Sequence, residues 1–374
     1  MKRITAAILA VLCLAPAAGE VRAEGVQVSA ACAVLMETET GRVLYEKNAH
    51  QPGLIASTTK LLTALTALES GHGLDEEVEI RPEYTGAEGS SLYLKAGERL
   101  RLETLLYGLL LHSGNDAALA IAGFCGGSAE GFAREMNRVA QELGMKGSHF
   151  TNPNGLDQEG HCSTAYDLAL LGRACLKNDA LRQMVSTRSI HLEGRSFVNH
   201  NKLLWQYPGC IGMKTGYTKR AGRTLVSAAE REGTTLIAVT LNDPDDWRDH
   251  AALLDWGFSV CWIETAATAG ENVARIPVEG SLLPFVPVRT AETLPVAVLK
   301  GEELTRRLAL DSTAVSAPVR AGDRAGRLEI LIDGQTVGEV PLVFGPAEDC
   351  RARASGLSAR LRELLRAARD ARRR

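Results

Sequence analysis

Two short apolar segments near the start, Ala31 to Glu37 and Arg42 to Glu46, read as strands joined around Thr40-Gly41. The period then changes. Leu61, Leu62, Leu65 and Leu68 recur at helical spacing, and helices are predicted over Ser57 to Glu69, Leu102 to Leu111, Asp116 to Cys125 and Ala129 to Leu143. Another begins near Thr164, where Thr164 and Asp167 form a capping-box-like pair ahead of Leu168, Leu170 and Leu171. From Arg223 to Ala229 and Thr234 to Leu241 the chain turns β-branched and apolar, as buried strands do. A helix carrying Leu253, Leu254 and Trp256 then closes the domain at Gly257. Strands at both ends with helices between predict an α/β (α+β) unit. Its terminal segments share one sheet, its helices flank that sheet, and a cleft opens between sheet edge and helical lobe.

After Trp262 the pattern shifts, through Ala266-Ala267-Thr268-Ala269-Gly270, to short segments rich in Val, Pro and Gly. Leu328 to Ile332, turning at Asp333-Gly334 into Thr336 to Phe344, is a hairpin signal. A small β-sandwich is expected over residues 271–345, after a first domain over 24–265. The chain's 374 residues and 45% hydrophobic content suffice for two cores. Residues 1–23 pair Lys2 and Arg3 with the apolar run Ile4 to Ala18 and the small-residue exit Val21-Arg22-Ala23, which reads as a secretory signal peptide cleaved after Ala23, with Ala17 or Ala18 as alternative sites. Such a segment implies export to the extracytoplasmic face of the membrane or to the wall space.

Charge alters the picture only at the far end. Residues 351–374 hold nine arginines against Glu363 and Asp370, in a chain whose net charge is −3. Leu357, Leu361, Leu364 and Leu365 share one helix face, so this tail is expected to be a basic amphipathic helix attracted to an anionic membrane surface. A secretory start argues against nucleic acid as its partner.

The candidate chemistry lies in three strings: Ser57-Thr58-Thr59-Lys60, Ser113-Gly114-Asn115 and Lys214-Thr215-Gly216. A serine hydroxyl is a weak nucleophile until a base takes its proton, and a lysine three residues on along a helix faces it. An S-x-x-K is expected roughly once by chance in a chain this long. Order and context carry the signal instead. The three strings in this order resemble the set found in penicillin-binding proteins and class A β-lactamases.

The surroundings sharpen the resemblance: Gly41-Arg42-Val43-Leu44-Tyr45-Glu46-Lys47, Leu110 to Ala118, Phe150-Thr151-Asn152-Pro153-Asn154-Gly155-Leu156-Asp157, His161 to Ala169 and Gly212 to Thr218. From Gln27 to Trp262 the chain resembles the serine D-alanyl-D-alanine carboxypeptidases of the low-molecular-mass penicillin-binding protein family (peptidase family S11 type). The segment beyond Trp262 resembles that family's small β-rich second domain more loosely. The resemblance implies a β-lactamase/transpeptidase-like catalytic domain followed by a small all-β domain. It also implies removal of the terminal D-alanine from peptidoglycan stem peptides through a Ser57 acyl-enzyme, and covalent binding of β-lactam antibiotics.

By the same resemblance Lys60 is the base, Ser113 a proton relay, and Asn115 a holder of substrate or of Lys60. Lys214 and Thr215 suit the terminal carboxylate, one by charge and one by hydroxyl. Gly216 admits the substrate strand, and the backbone N–H groups of Ser57 and Tyr217 form the oxyanion site. Burial and the charge of Lys214 are expected to depress the Lys60 pKa. His161 reads as structural, and Asn152-Pro153 and Asp157 as turn-formers.

Two other functions share the nucleophile logic. A class A-like β-lactamase needs a carboxylate that aims water at the acyl-enzyme, and no Glu-x-x-Leu-Asn occurs after Ser113. A penicillin sensor or non-catalytic wall-binding protein needs only Ser57 and Lys60. After loss of Cys13, seven scattered cysteines without C-x-x-C spacing indicate neither zinc nor a disulfide framework, although Cys162 and Cys210 fall near the presumed site. No motif indicates a metal, nucleotide or prosthetic group, and nothing in the sequence bears on oligomeric state.

Overall fold

The computed structural model describes residues 26–281 and 283–346. The expected signal segment and the basic tail lie outside these residues. Strands β1 (Cys32–Glu37) and β2 (Val43–Lys47) open the chain, and α1 (Lys60–Glu69) comes after a 3₁₀ turn at Ala56–Thr59. The small pair β3 (Glu77–Glu79) and β4 (Arg99–Arg101) precedes α2 (Leu102–Tyr107), α3 (Asn115–Gly126), α4 (Ala129–Glu142), α5 (Ala165–Lys177) and α6 (Asp179–Ser186). The hairpin β5 (Ser189–Leu192) and β6 (Arg195–Val198) leads to the short α7 (Leu203–Gln206). Strands β7 (Cys210–Thr218), β8 (Gly222–Arg231) and β9 (Thr234–Leu241) then return to the first sheet, and α8 (Asp246–Val260) closes it.

That sheet has the order β2-β1-β9-β8-β7, antiparallel throughout. N- and C-terminal segments therefore pair directly, as the sequence pattern predicts. Strand period two sorts its faces. Val34 and Met36 of β1, with Ile237 and Val239 of β9, pack into the core shared with α1, α3 and α5. Ala33 and Leu35, with Leu236 and Ala238, pack against α8. With both faces covered, β1 is buried at every position, which explains an apolar run in place of alternation.

The remaining strands are β10 (Cys261–Ala267), β11 (Asn272–Glu279), β12 (Phe285–Thr290), β13 (Leu294–Leu299), β14 (Leu304–Leu310), β15 (Val315–Ser316), β16 (Arg324–Ile332) and β17 (Gln335–Phe344). They form a β10-β13 pair and a sheet of order β14-β16-β17-β12-β11-β15. Ala266 and Val298 from the pair share a core with Ile276, Val288, Ile330 and Leu342. The β16–β17 turn falls at Asp333-Gly334, both with positive φ, the conformation that such a hairpin demands. Arg42 at the β1–β2 turn donates to Glu302 and to the Ala297 carbonyl, joining the two halves.

Three local differences from the expected elements bear on the site. Lys214-Thr215-Gly216, to which the sequence pattern assigns no element, lies inside edge strand β7. The segment expected as one helix from Ser57 begins as a tighter 3₁₀ turn, because the Thr58 and Thr59 hydroxyls donate to the carbonyls three residues back, at 2.6 and 2.9 Å. Helix α2 widens into a π-type turn at Gly108–His112 that delivers Ser113 in the left-handed conformation, φ 66°. Such a turn inserts an extra residue and re-aims the chain beyond it.

Candidate active site

Ser57 and Lys60 occupy successive turns where the 3₁₀ segment passes into α1, and Lys60 Nζ lies 2.8 Å from Ser57 Oγ. Lys60 is completely buried. Its ammonium also donates to Asn115 Oδ1 at 2.6 Å and to the Asn154 carbonyl at 2.5 Å, so three partners match its three protons. A carbonyl and an amide oxygen only accept. When Lys60 is neutral, the Ser57 hydroxyl is the partner among these three that can turn and donate to the amine.

Each partner is itself held. Asn115 opens α3, donates through Nδ2 to the Glu88 carbonyl and through its backbone to the Ser90 carbonyl at 2.7 Å. This leaves its Oδ1 for Lys60. The Asn154 carbonyl sits in a loop turned by Asn152, whose Oδ1 accepts from the Gly155 N–H at 2.8 Å. Asp116, fully buried, accepts from the backbone of Leu92 and Leu94 and from the Ser91 hydroxyl, fastening the loop that carries Ser90.

Electrostatics at Lys60 favour the neutral amine. Burial holds its pKa well below the usual lysine range, and the charge of Lys214 pushes the same way, with Asp116 opposing. Lys214 is also buried, its Nζ donates to the Thr215 carbonyl at 2.9 Å, and burial pulls its pKa down to about 7.

Edge strand β7 lies directly against the Ser57 turn. A β-carbon on Gly216 would stand 3.0 Å from the Ser57 nitrogen, and the Thr224 hydroxyl donates to the Ile55 carbonyl at 3.0 Å. Only glycine allows this approach. A cavity of about 280 Å³ opens here, lined by Ser57, Ser113, Thr215, Gly216 and Tyr217 together with Ser90, His200, Arg223, Asp246 and Trp247. The eight residues singled out in sequence thus gather in one region: six line the cavity or its edge strand, while Lys60 and Asn115 stand behind Ser57.

Residues 19–245 match the family model described as D-alanyl-D-alanine carboxypeptidase, and residues 265–347 match that of the penicillin-binding protein 5 C-terminal domain. The chain belongs to the D-alanyl-D-alanine carboxypeptidase family. It is 33% identical over 324 residues to the D-alanyl-D-alanine carboxypeptidase DacF of Bacillus subtilis (strain 168), covering 83% of each chain. It is 32% identical to DacD of Escherichia coli (strain K12), over 83% of this chain and 84% of that one. Among solved structures, penicillin binding protein 5 from Haemophilus influenzae superposes with a TM-score of 0.74 at 26% identity, covering 85% of this chain and 97% of that one. An α/β catalytic domain followed by an all-β domain is therefore this family member's architecture.

Several residues around the site escape motif reasoning. The Asn154 carbonyl contributes backbone, which side-chain patterns do not report. His161 Nδ1 accepts from the Thr151 N–H at 3.2 Å, which leaves Nε2 to donate to Thr59 Oγ1 at 2.8 Å. Burial lowers its pKa to about 4, so it is neutral near pH 7. Arg223 comes from β8, across the hairpin from Tyr217 and outside the three strings, while Asp246 and Trp247 open α8, remote from all of them. Cys210, singled out for nearness in sequence, starts β7, and burial pushes its thiol up to about 11, so it is no thiolate nucleophile near pH 7.

Proposed function

We propose that this family member is a serine D-alanyl-D-alanine carboxypeptidase that removes the terminal D-alanine of peptidoglycan stem pentapeptides and is acylated by β-lactams, with Ser57 as nucleophile. In the first step Lys60, as neutral amine, takes the Ser57 proton while Oγ attacks the carbonyl between the two D-alanines. The tetrahedral oxyanion is held by the backbone N–H groups of Ser57 and Tyr217, each such donor worth ~10²–10³-fold in rate. Collapse expels D-alanine, whose nitrogen takes a proton from Lys60 relayed through Ser113. Water then attacks the acyl-enzyme, with the Lys60 amine again accepting the proton, and releases the shortened peptide. Asn115 holds Lys60, Thr215 receives the terminal carboxylate, Gly216 admits the substrate strand along β7, and Lys214 acts through its field on Lys60.

The observation that carries this reading is the three-partner seat of Lys60, in which Ser57 alone can return a proton. General-base assistance of this kind is typically worth ~10²–10⁴-fold. Purified protein given diacetyl-L-Lys-D-Ala-D-Ala and a chromogenic cephalosporin tests it. D-alanine release without rapid cephalosporin turnover is expected. Rapid antibiotic hydrolysis points to a β-lactamase, and a stable penicillin adduct with neither product points to a sensor.

The finer assignments are part of the same proposal: export through residues 1–23, a catalytic domain over 24–265, a β-sandwich over 271–345, and attraction of the basic tail over 351–374 to anionic lipid. Among the described residues no helix is long and apolar enough to cross a membrane.

A further inference from the structure

Two histidines stand together at the cavity with their ring nitrogens unused. His112 ends the π-type turn that delivers Ser113, and His200 follows β6 and lines the cavity with Ser57 and Ser113. The backbone holds the pair together, since the His200 N–H donates to the Leu111 carbonyl at 3.2 Å. Their ring centroids lie 5.3 Å apart, with the planes inclined at 52°. Among the described residues no hydrogen bond or ion pair engages either imidazole. The buried histidines differ: His161 spends both nitrogens on Thr59 and Thr151, and His250 both on Ser227 and Thr240, at 2.6 and 2.9 Å. His200 is exposed and His112 half-buried, so ions in solution reach the pair.

Two imidazoles at this spacing suit one transition-metal ion. A tetrahedral zinc ion with Zn–N bonds of about 2.0–2.1 Å holds two ring centroids about 5 Å apart, close to the separation found here. Rotation about χ2, a broad torsion in histidine, aims the nitrogens at a common point. Among the described residues no group of three or more His, Cys, Asp or Glu side chains could hold a metal ion, so an ion on this pair completes its shell with water. The carboxylate that lines the cavity, Asp246, is engaged by Arg223 at 2.6 Å. Imidazole without carboxylate selects zinc, copper or nickel over magnesium and calcium, which take oxygen ligands. The charge of Lys214 reaches His200 and weakens cation binding there, which keeps the affinity modest.

We propose that His112 and His200 form a binding site for a divalent transition-metal ion, zinc above all, and that the bound ion inhibits the enzyme reversibly by obstructing the cavity beside Ser113. The binding stands on the histidine pair alone, whereas the inhibition rests on the carboxypeptidase reading above.

The test uses purified protein stripped of metal with EDTA and desalted, at about pH 7.5, where an ordinary imidazole is unprotonated. Acylation by a fluorescent penicillin and D-alanine release from diacetyl-L-Lys-D-Ala-D-Ala are followed. Zinc chloride is expected to slow both, magnesium chloride at the same concentration to leave both unchanged, and excess EDTA to restore the rates. Each rate is divided by that of the same protein without metal, so a change in basal activity cancels. On that scale His112→Gln and His200→Gln should each raise the half-inhibiting zinc concentration at least ~10-fold, a loss seen even when only a partner behind a metal ligand is removed. Isothermal titration calorimetry reads binding apart from activity, and the double variant should take up one equivalent of zinc less than the wild type. Inhibition undiminished in both single variants would put the ion elsewhere and overturn the site. Zinc that titrates onto the pair without slowing either reaction would overturn the inhibition, and unmodified protein that neither binds zinc nor responds to it would overturn both. Metal-free wild type that shows neither D-alanine release nor penicillin labelling, yet binds zinc through the pair, would instead refute the carboxypeptidase reading and leave the site standing.

Discussion

Gly155 presses on the carbonyl of Ala56, the residue before Ser57: a β-carbon at Gly155 would lie 2.0 Å from that oxygen and 2.9 Å from Thr59 Oγ1. The neighbouring Asn154 carbonyl is the one that receives Lys60, so one loop both backs the Ser57 turn and seats the lysine. Ala56 has φ 47°, a conformation that costs a non-glycine residue energy unless its surroundings impose it.

Gly155→Ala is therefore expected to displace the loop, because its φ of 82° and the backbone contact both resist a methyl group. The melting midpoint should fall by the equivalent of about 1–3 kcal/mol. Acylation by a fluorescent penicillin should slow more than global stability explains. Wild-type acylation in a folded variant would show that the contact does not position the turn.

On the proposed mechanism, Ser57→Ala abolishes labelling by fluorescent penicillin, and Lys60→Arg lowers the acylation rate ~10²–10⁴-fold, since a guanidinium cannot serve as base. Gel fluorescence over time measures both. Undiminished labelling of the alanine variant would remove Ser57 as nucleophile.

The rate should rise with pH as Lys60 loses its proton, along a limb lying below the ordinary lysine range because burial disfavours the ammonium. Lys214→Met deletes a positive charge that also disfavours it, so the Lys60 pKa rises and the limb moves to higher pH. The pH profile of kcat/KM on the tripeptide reads this directly. A limb that stays put or moves down would mean that Lys214 does not act on Lys60.

Stability should decline in acid for a related reason. His161 and His250 are buried and neutral, with pKa values lowered to about 4 and about 3, chiefly by burial. The unfolded chain protonates histidine near ~6.5, so as pH falls from there the unfolded state takes up protons that the native state refuses. The melting midpoint is expected to drop between about pH 6.5 and pH 4. His161→Gln keeps an acceptor for the Thr151 N–H and a donor for Thr59, and it should preserve acylation at pH 7 while flattening that slope. His161→Leu should slow acylation, because Thr59 then loses the donor that fixes it. A glutamine variant with the wild-type acid slope would exclude His161 from the effect.

The elements themselves were largely legible. Thr164 caps α5 by accepting from the Asp167 N–H at 3.0 Å, as the Thr-x-x-Asp spacing predicts, and the Asp333-Gly334 hairpin turns where its residue types require. These are local effects, decided within a few residues. The tight start of the Ser57 turn was not legible, because the Thr58 and Thr59 hydroxyl bonds that set it leave no mark on the apolar period, and neither was the π-type widening before Ser113, which packs against β6 and α6. Placing Lys214 in a strand also needed the partner: Lys214 pairs with Val226 of β8, and a three-residue string carries no period.

The sequence by itself determined which chemistry is present, since side-chain type and short spacing set what Ser57 and Lys60 can do to each other across one turn. Only the tertiary structure decided which oxygens seat the Lys60 ammonium and which cation faces the cavity. Hydrogen-bond partnership and burial depend on distance in space, and residues as remote as Lys60 and Asn154, or Arg223 and Asp246, meet only when the sheet and helices close around them.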